Sequence, residues 1–200
     1  MALSNDQVAR FFSEAPVRIT GNVNLRIPQV GGYEAARAHF GDGGHRAVEQ
    51  IPVGCGKTGL ITLLPFRIAR GRVLVIAPNL TIKRQLRDAL DVTSQGCFYR
   101  KVGALTDLTD GPFVASLDAD ANLSDCDDAH VVVTNIHQLA ARADRWLPEF
   151  EDGFFDLIVV VEVITTRHRA GRMCSIGSLR RVSSASATPF RSDDRPSRAR

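Results

Sequence analysis

Pro52-Val53-Gly54-Cys55-Gly56-Lys57-Thr58 is the stretch that decides the fold. A strand-like segment, 47–52, runs into it, and a helix-like segment, 57–69, runs out of it. Gly54 and Gly56 carry no Cβ, so the backbone can curl and turn its N–H groups toward one point. The helix opening near Lys57 adds the positive end of its dipole. Such a turn cradles phosphates. Lys57 supplies a point charge to the outer phosphates, and the Thr58 hydroxyl is a ligand for Mg²⁺. Cys55 is expected to be a small residue facing outward. The general phosphate-loop pattern has an earlier glycine where this chain has Ile51.

Outward from the loop, strand-like and helix-like stretches alternate. Segments 72–77 (RVLVIA), 130–134 (HVVVT) and 156–161 (DLIVVV) are continuous apolar runs, as buried parallel strands should be. Helices are expected over 29–40, 81–90 and 136–143, with a turn at 41–44 (GDGG). Residues 97–102 read as a further strand, followed by an acidic loop. The alternation predicts an α/β domain whose mostly parallel central sheet is flanked by helices. Segments 47–51, 72–77, 130–134 and 156–161 are expected to be neighbouring parallel strands. Residues 1–24 read as an N-terminal arm, with Val8, Phe11 and Phe12 marking a short amphipathic helix.

Composition is 44% hydrophobic and 24% charged, that of a globular chain. No apolar run approaches the roughly 20 residues that span a bilayer, and the N-terminus lacks a signal-peptide pattern. Cys55, Cys97, Cys126 and Cys174 are scattered, so a reduced, cytoplasmic protein without a membrane partner is expected. Net charge is +3, but from Arg167 onward nine arginines face two aspartates. Asp118-x-Asp120-x-Asn122 is superficially similar to a calcium loop. Leu123 and Ala129 stand where such a loop needs glycine and glutamate, so a solvated loop is the expectation.

Four further stretches accompany the phosphate loop. They are Leu25-Arg26-Ile27-Pro28-Gln29, Ala77-Pro78-Asn79-Leu80-Thr81, Thr134-Asn135 with Gln138 beyond, and Ser186-Ala187-Thr188-Pro189-Phe190. In this order they resemble the motifs of superfamily 2 DEAD/DEAH-type helicases, in particular those related to type III restriction enzyme res subunits. The resemblance covers about 25–160 and 185–194. It implies a RecA-like P-loop NTPase domain over 25–162 that uses ATP and Mg²⁺. Gln29 would read the adenine edge, and Gly54, Cys55, Gly56, Lys57 and Thr58 would hold the phosphates, with Thr58 on the metal. Pro78, Asn79, Thr134 and Asn135 would grip a nucleic-acid backbone, with DNA expected ahead of RNA. Ser186, Ala187 and Thr188 would couple phosphate status to that grip. It also implies a second RecA-like domain bearing an arginine finger, which these 200 residues lack.

The pattern breaks after the third apolar run. The family's D-E-x-H motif should stand there, and this chain has Val161-Glu162-Val163-Ile164-Thr165. Glu162 keeps the place of the glutamate that orients the attacking water and is the candidate catalytic residue. The aspartate that supports Mg²⁺ is replaced by Val161. From Val163 the apolar periodicity vanishes until SATPF. A frame change explains this. Codons GTC ATC ACA ACG CGG CAT CGA GCT GG for 163 onward, preceded by the last G of a glutamate codon, read one base earlier as GHHNAASSW. That continues the family's D-E-G-H-H-N-A-A. Residues 163–185 and 197–200 are therefore expected to be out-of-frame translation, and 163–185 to be irregular. The 186–200 stretch then holds the SATPF motif and a basic tail without nucleic-acid meaning. A diverged member with a basic loop is the alternative.

The expected function is that of the ATP-binding domain of a nucleic-acid-dependent ATPase or helicase, inactive in this form. The alternatives are a non-hydrolysing nucleotide- and nucleic-acid-binding module, or a product without function.

Overall fold

The computed structural model describes residues 2–52, 54–118, 124–141, 150, 153–161, 166–168 and 171–181, the last two stretches as backbone. Helix α1, Asn5–Glu14, opens the chain. Ser4 caps it, accepting from the Gln7 amide while the Gln7 side chain accepts from the Ser4 N–H. Helix α2, Ile27–Gly41, starts with proline in its first turn, where the missing N–H costs nothing. Strand β1, Arg46–Pro52, leads through the loop into helix α3, Lys57–Leu63. This helix is shorter than its apolar run, because Pro65 ends it. Strand β2, Arg72–Ala77, and helix α4, Leu80–Leu90, follow.

Residues 97–102, expected as a strand, are instead mostly helix α5, Phe98–Val102. Gly103 in the left-handed conformation closes it, with φ +60°. Tyr99 and Val102, three apart, both turn inward, and the Tyr99 hydroxyl donates to the Thr62 carbonyl at 2.9 Å. Strand β3, Val114–Ser116, helix α6, Ser124–Asp127, strand β4, Val131–Asn135, helix α7, Ile136–Ala141, and strand β5, Phe155–Val161, complete the domain's regular part.

Strands β5, β2, β4 and β3 lie side by side and parallel. Every residue of β2 and β4 is buried, as the continuous apolar runs require. Helices α1 to α5 cover one face with the main core, which includes Val8, Phe12, Tyr33, Leu60, Leu86 and Tyr99. A smaller cluster around Leu74, Ile76, Val132 and Cys126 lies on the other face, with Phe150, Phe154 and Phe155 packed against it. The fold is α/β and RecA-like.

The first 24 residues are woven into this core. Val8 and Phe12 are fully buried. The Arg72 guanidinium, itself buried, donates to Asn5 Oδ1 at 3.1 Å, to the Leu3 carbonyl, and to the Asp127 carbonyl at 2.6 Å. It also sits 4.3 Å from the Phe154 ring centre.

The far side of the sheet departs from expectation. Strands β6, Thr166–His168, and β7, Gly171–Arg181, are regular, so the expected irregularity over 163–185 does not hold for their backbones. Strand β7 lies between β1 and β5, antiparallel to both. Strand β1 thus runs in the same direction as the parallel set but does not neighbour it. The physical cause is local. Two facing strand edges offer unpaired N–H and C=O groups to any chain that enters. A parallel strand needs a crossover of about a dozen residues or more, and Val161 is only ten positions from Gly171. The inserted strand fits imperfectly. Between Ile176 and Leu179 it spends three steps where β1 and β5 each spend two, a bulge that contains Gly177.

Candidate functional site

The phosphate loop leaves β1 at its carboxyl end. Gly54 and Gly56 both take φ +85°, a conformation that excludes side chains of L-residues. Two side chains hold the loop from one side. The Arg26 guanidinium donates to the Gly54 carbonyl, and Gln29 Nε2 donates to the Gly56 carbonyl at 2.8 Å. Gln29 is buried, and its Oε1 accepts from the Arg26 N–H at 2.9 Å. With those carbonyls drawn toward α2, the Lys57 N–H of the Gly56 peptide faces away, whereas the Cys55 N–H of the Gly54 peptide is taken by the Pro52 carbonyl. The packing is close. A Cβ on Gly56 would meet Gln29 Nε2 at 2.4 Å. A Cβ on Gly59 would meet the same atom at 2.2 Å and the Phe98 ring at 2.4 Å.

Lys57 and Thr58 open α3 beside this turn, both half-buried. Cys55 is half-buried, and its N–H donates to the Pro52 carbonyl at 3.1 Å. A cavity of about 580 Å³ borders the loop, lined by Arg26, Gln29, Gly56, Thr58, Gln85 and Phe98 among others. Arg26 and Phe98 were not singled out in sequence. Arg26 stood within the quoted LRIPQ stretch, but nothing in sequence placed the α5 ring beside the loop.

The two strand-end stretches also meet. Ala77 on β2 and Asn135 on β4 are register partners, so Pro78-Asn79 and Thr134-Asn135 emerge side by side at the carboxyl edge. Their side chains serve the fold. Asn79 Oδ1 accepts from the Ile82 N–H at 2.9 Å, capping α4. The Thr134 hydroxyl donates to the Leu117 carbonyl at 3.1 Å. Asn135 Oδ1 accepts from the Gln138 N–H at 2.9 Å, and its Nδ2 donates to Gln138 Oε1 at 2.7 Å. Thr134 and Asn135 are buried.

Lys83 joins this group from α4. It is buried, and its ammonium donates to Leu117 O at 3.0 Å, Asp118 Oδ1 at 2.5 Å and Gln138 Oε1 at 3.5 Å. Desolvation works to raise the Asp118 carboxyl. The Lys83 hydrogen bond and charge, with Ser116 and Gln138, outweigh it and hold the carboxyl below its ordinary value. Sequence reading passed over Lys83. Its spacing with Leu86 and Leu90 put it on the apolar face of α4, which was the available signal.

Glu162, Ser186, Ala187 and Thr188 lie outside the described residues, as does the expected convergence of Lys57, Glu162 and Thr188. Val161, where the family has its metal-supporting aspartate, is described. It is buried at the carboxyl end of β5, and its side chain offers no oxygen.

A left-handed glycine loop after β1, and paired loops at the carboxyl ends of β2 and β4, are the local features of this α/β domain. Residues 22–190 match the family described as type III restriction enzyme, res subunit, and the chain belongs to that family. Comparison with curated proteins gives no match. Among the described residues, no helix is long and apolar enough to cross a membrane.

Proposed function

We propose that this chain is the nucleotide-binding domain of a nucleic-acid-dependent ATPase and that it holds ATP without turning it over efficiently. The observation that carries the reading is the loop itself. Gly54 and Gly56 are turned left-handed, and Arg26 and Gln29 hold their carbonyls away from the cradle. ATP phosphates would be bound by Gly54, Cys55, Gly56 and Lys57, and the base would lie toward Gln29. The Gln29 amide is engaged at both ends, so adenine would compete for groups that now steady the loop. The donor set for Mg²⁺ is half fitted. Thr58 would give one oxygen, and Val161 gives none. Mg²⁺ would neutralise charge at the outer phosphates, and Glu162 would orient water.

Nucleic acid, DNA ahead of RNA, would cross the carboxyl edge at Pro78, Asn79, Thr134 and Asn135, with Ser186, Ala187 and Thr188 sensing phosphate. The setting is cytoplasmic. Residues 163–185 are out-of-frame sequence on this reading, supported by the absent side-chain carboxylate at Val161; the regular backbone of β7 is the observation against it. In the restored frame, the strand before Ser186 would run parallel between β1 and β5.

MgATP is expected to stabilise the chain by about 2.7 kcal/mol at a hundredfold excess over Kd, read as a rise in thermal midpoint. Nucleic-acid-stimulated phosphate release should stay at background, and Val161→Asp should raise it. Steady release by the unaltered chain would overturn the hydrolysis-deficient reading.

A further inference from the structure

We propose that Lys83 is a positioning residue that locks the Pro78-Asn79 loop to the Thr134-Asn135 loop and so sets the spacing of the nucleic-acid grip. The inference rests on the nucleic-acid reading above and deepens it.

An ammonium taken out of water costs several kcal/mol unless its donors are satisfied. An apolar side chain at this place on α4 would leave the acceptors around it without the lysine's donors. The lysine therefore contributes through its acceptors, three groups from two separate segments. Leu117 O and Asp118 follow β3, and Gln138 is on α7. The chain of bonds is continuous. The Lys83 N–H donates to the Asn79 carbonyl at 3.0 Å, one helical turn back. Its ammonium reaches Gln138 Oε1, which also accepts from Asn135 Nδ2, while the Gln138 backbone N–H donates to Asn135 Oδ1. Leu117 O accepts from both Lys83 and Thr134.

Thr134 and Asn135 spend their side chains inside this network, and Asn79 spends its side chain capping α4. Backbone groups and exposed neighbours then remain for phosphates, and such contacts fix register only if their spacing is fixed. The Lys83 side chain is 4% exposed and already paired with Asp118, so it does not itself reach a phosphate.

Lys83→Met and the milder Asp118→Asn, each in the full chain, test the lock by two readouts. Amide hydrogen exchange at 134–138 should quicken about tenfold in Lys83→Met and less in Asp118→Asn. Affinity for a single-stranded oligonucleotide should fall on the order of tenfold. MgATP affinity should stay unchanged. The slope of log K against log salt should also hold, because no phosphate contact is removed. Unchanged exchange at 134–138 in both variants overturns the lock, whether or not the chain binds nucleic acid. A salt slope smaller by about 0.7 overturns it in favour of a direct phosphate contact. An equal loss of MgATP and oligonucleotide affinity overturns it in favour of general destabilisation. An unaltered chain that binds no oligonucleotide defeats the nucleic-acid reading and the lock's purpose, while exchange still decides whether the lock exists.

Discussion

Strands β2 and β7 both lie inside the sheet, each paired on two sides, yet their sequences have little in common. Strand β2 is RVLVIA, buried along its whole length and in unbroken register with β4 over five residues. Strand β7 is GRMCSIGSLRR, with two glycines, three arginines and a bulge against both neighbours. The first is specified by side chains that must leave water on both faces. The second needs only backbone hydrogen bonds to two open edges, which any non-proline sequence supplies. A place in a sheet is therefore not evidence that a segment was selected for it.

Stability measurements sharpen this contrast most. Phe12 is fully buried in the main core, and Phe12→Ala should cost about 3–5 kcal/mol in denaturant unfolding. Ile176→Ala in β7 should stay within about 0.5 kcal/mol if that segment was never selected to bury anything. A cost for Ile176→Ala close to that of Phe12→Ala would sink the out-of-frame reading and favour a diverged family member.

Arg72→Met comes next, with an expected loss of about 2–3 kcal/mol. The guanidinium starts β2 and bonds to Leu3, Asn5 and Asp127 together, so its removal should also free α1. Faster amide exchange across 5–14 would check it. Unchanged exchange there would show that the N-terminal segment is held by apolar packing alone.

The smallest expected effect concerns His130, just before β4. Burial, with the Arg72 charge, pushes it down from 6.5 to about 4. Its Nδ1 accepts from the Phe113 N–H at 3.0 Å, so the neutral ring is the one that fits. The unfolded chain binds the proton more readily. The contribution is thus fully present above about pH 6.5 and is lost as pH falls toward 4. His130→Gln should flatten the unfolding midpoint across that window, and an unchanged pH profile would remove His130 from the account.

The same contrast explains what sequence could reveal. Segments 72–77 and 130–134 were legible as strands because continuous burial leaves a continuous apolar run; 156–161 is an apolar run too, although only alternate residues are fully buried. The strand–turn–helix around 52–58 was legible because a left-handed turn needs glycine at 54 and 56. Helix α5 was misread because its run is only five residues long; its buried positions, Tyr99 and Val102, are three apart, and Gly103 closes the helix from outside the run. Strand β3 has only three residues and left no periodic signal. Lys83 was hidden because its partners lie 34 to 55 positions along the chain. Strand β7 left little signal: some β character at 181–184 pointed to a strand just before Ser186, whereas the strand lies over Gly171–Arg181, where backbone pairing sets its place.

The phosphate loop carries the functional account, and calorimetric titration of MgATP into the unaltered chain and into Lys57→Ala tests it most directly. Binding by the first, weakened at least about tenfold in the second (about 1.4 kcal/mol), is the expected result. Equal affinity of the two proteins would contradict the account.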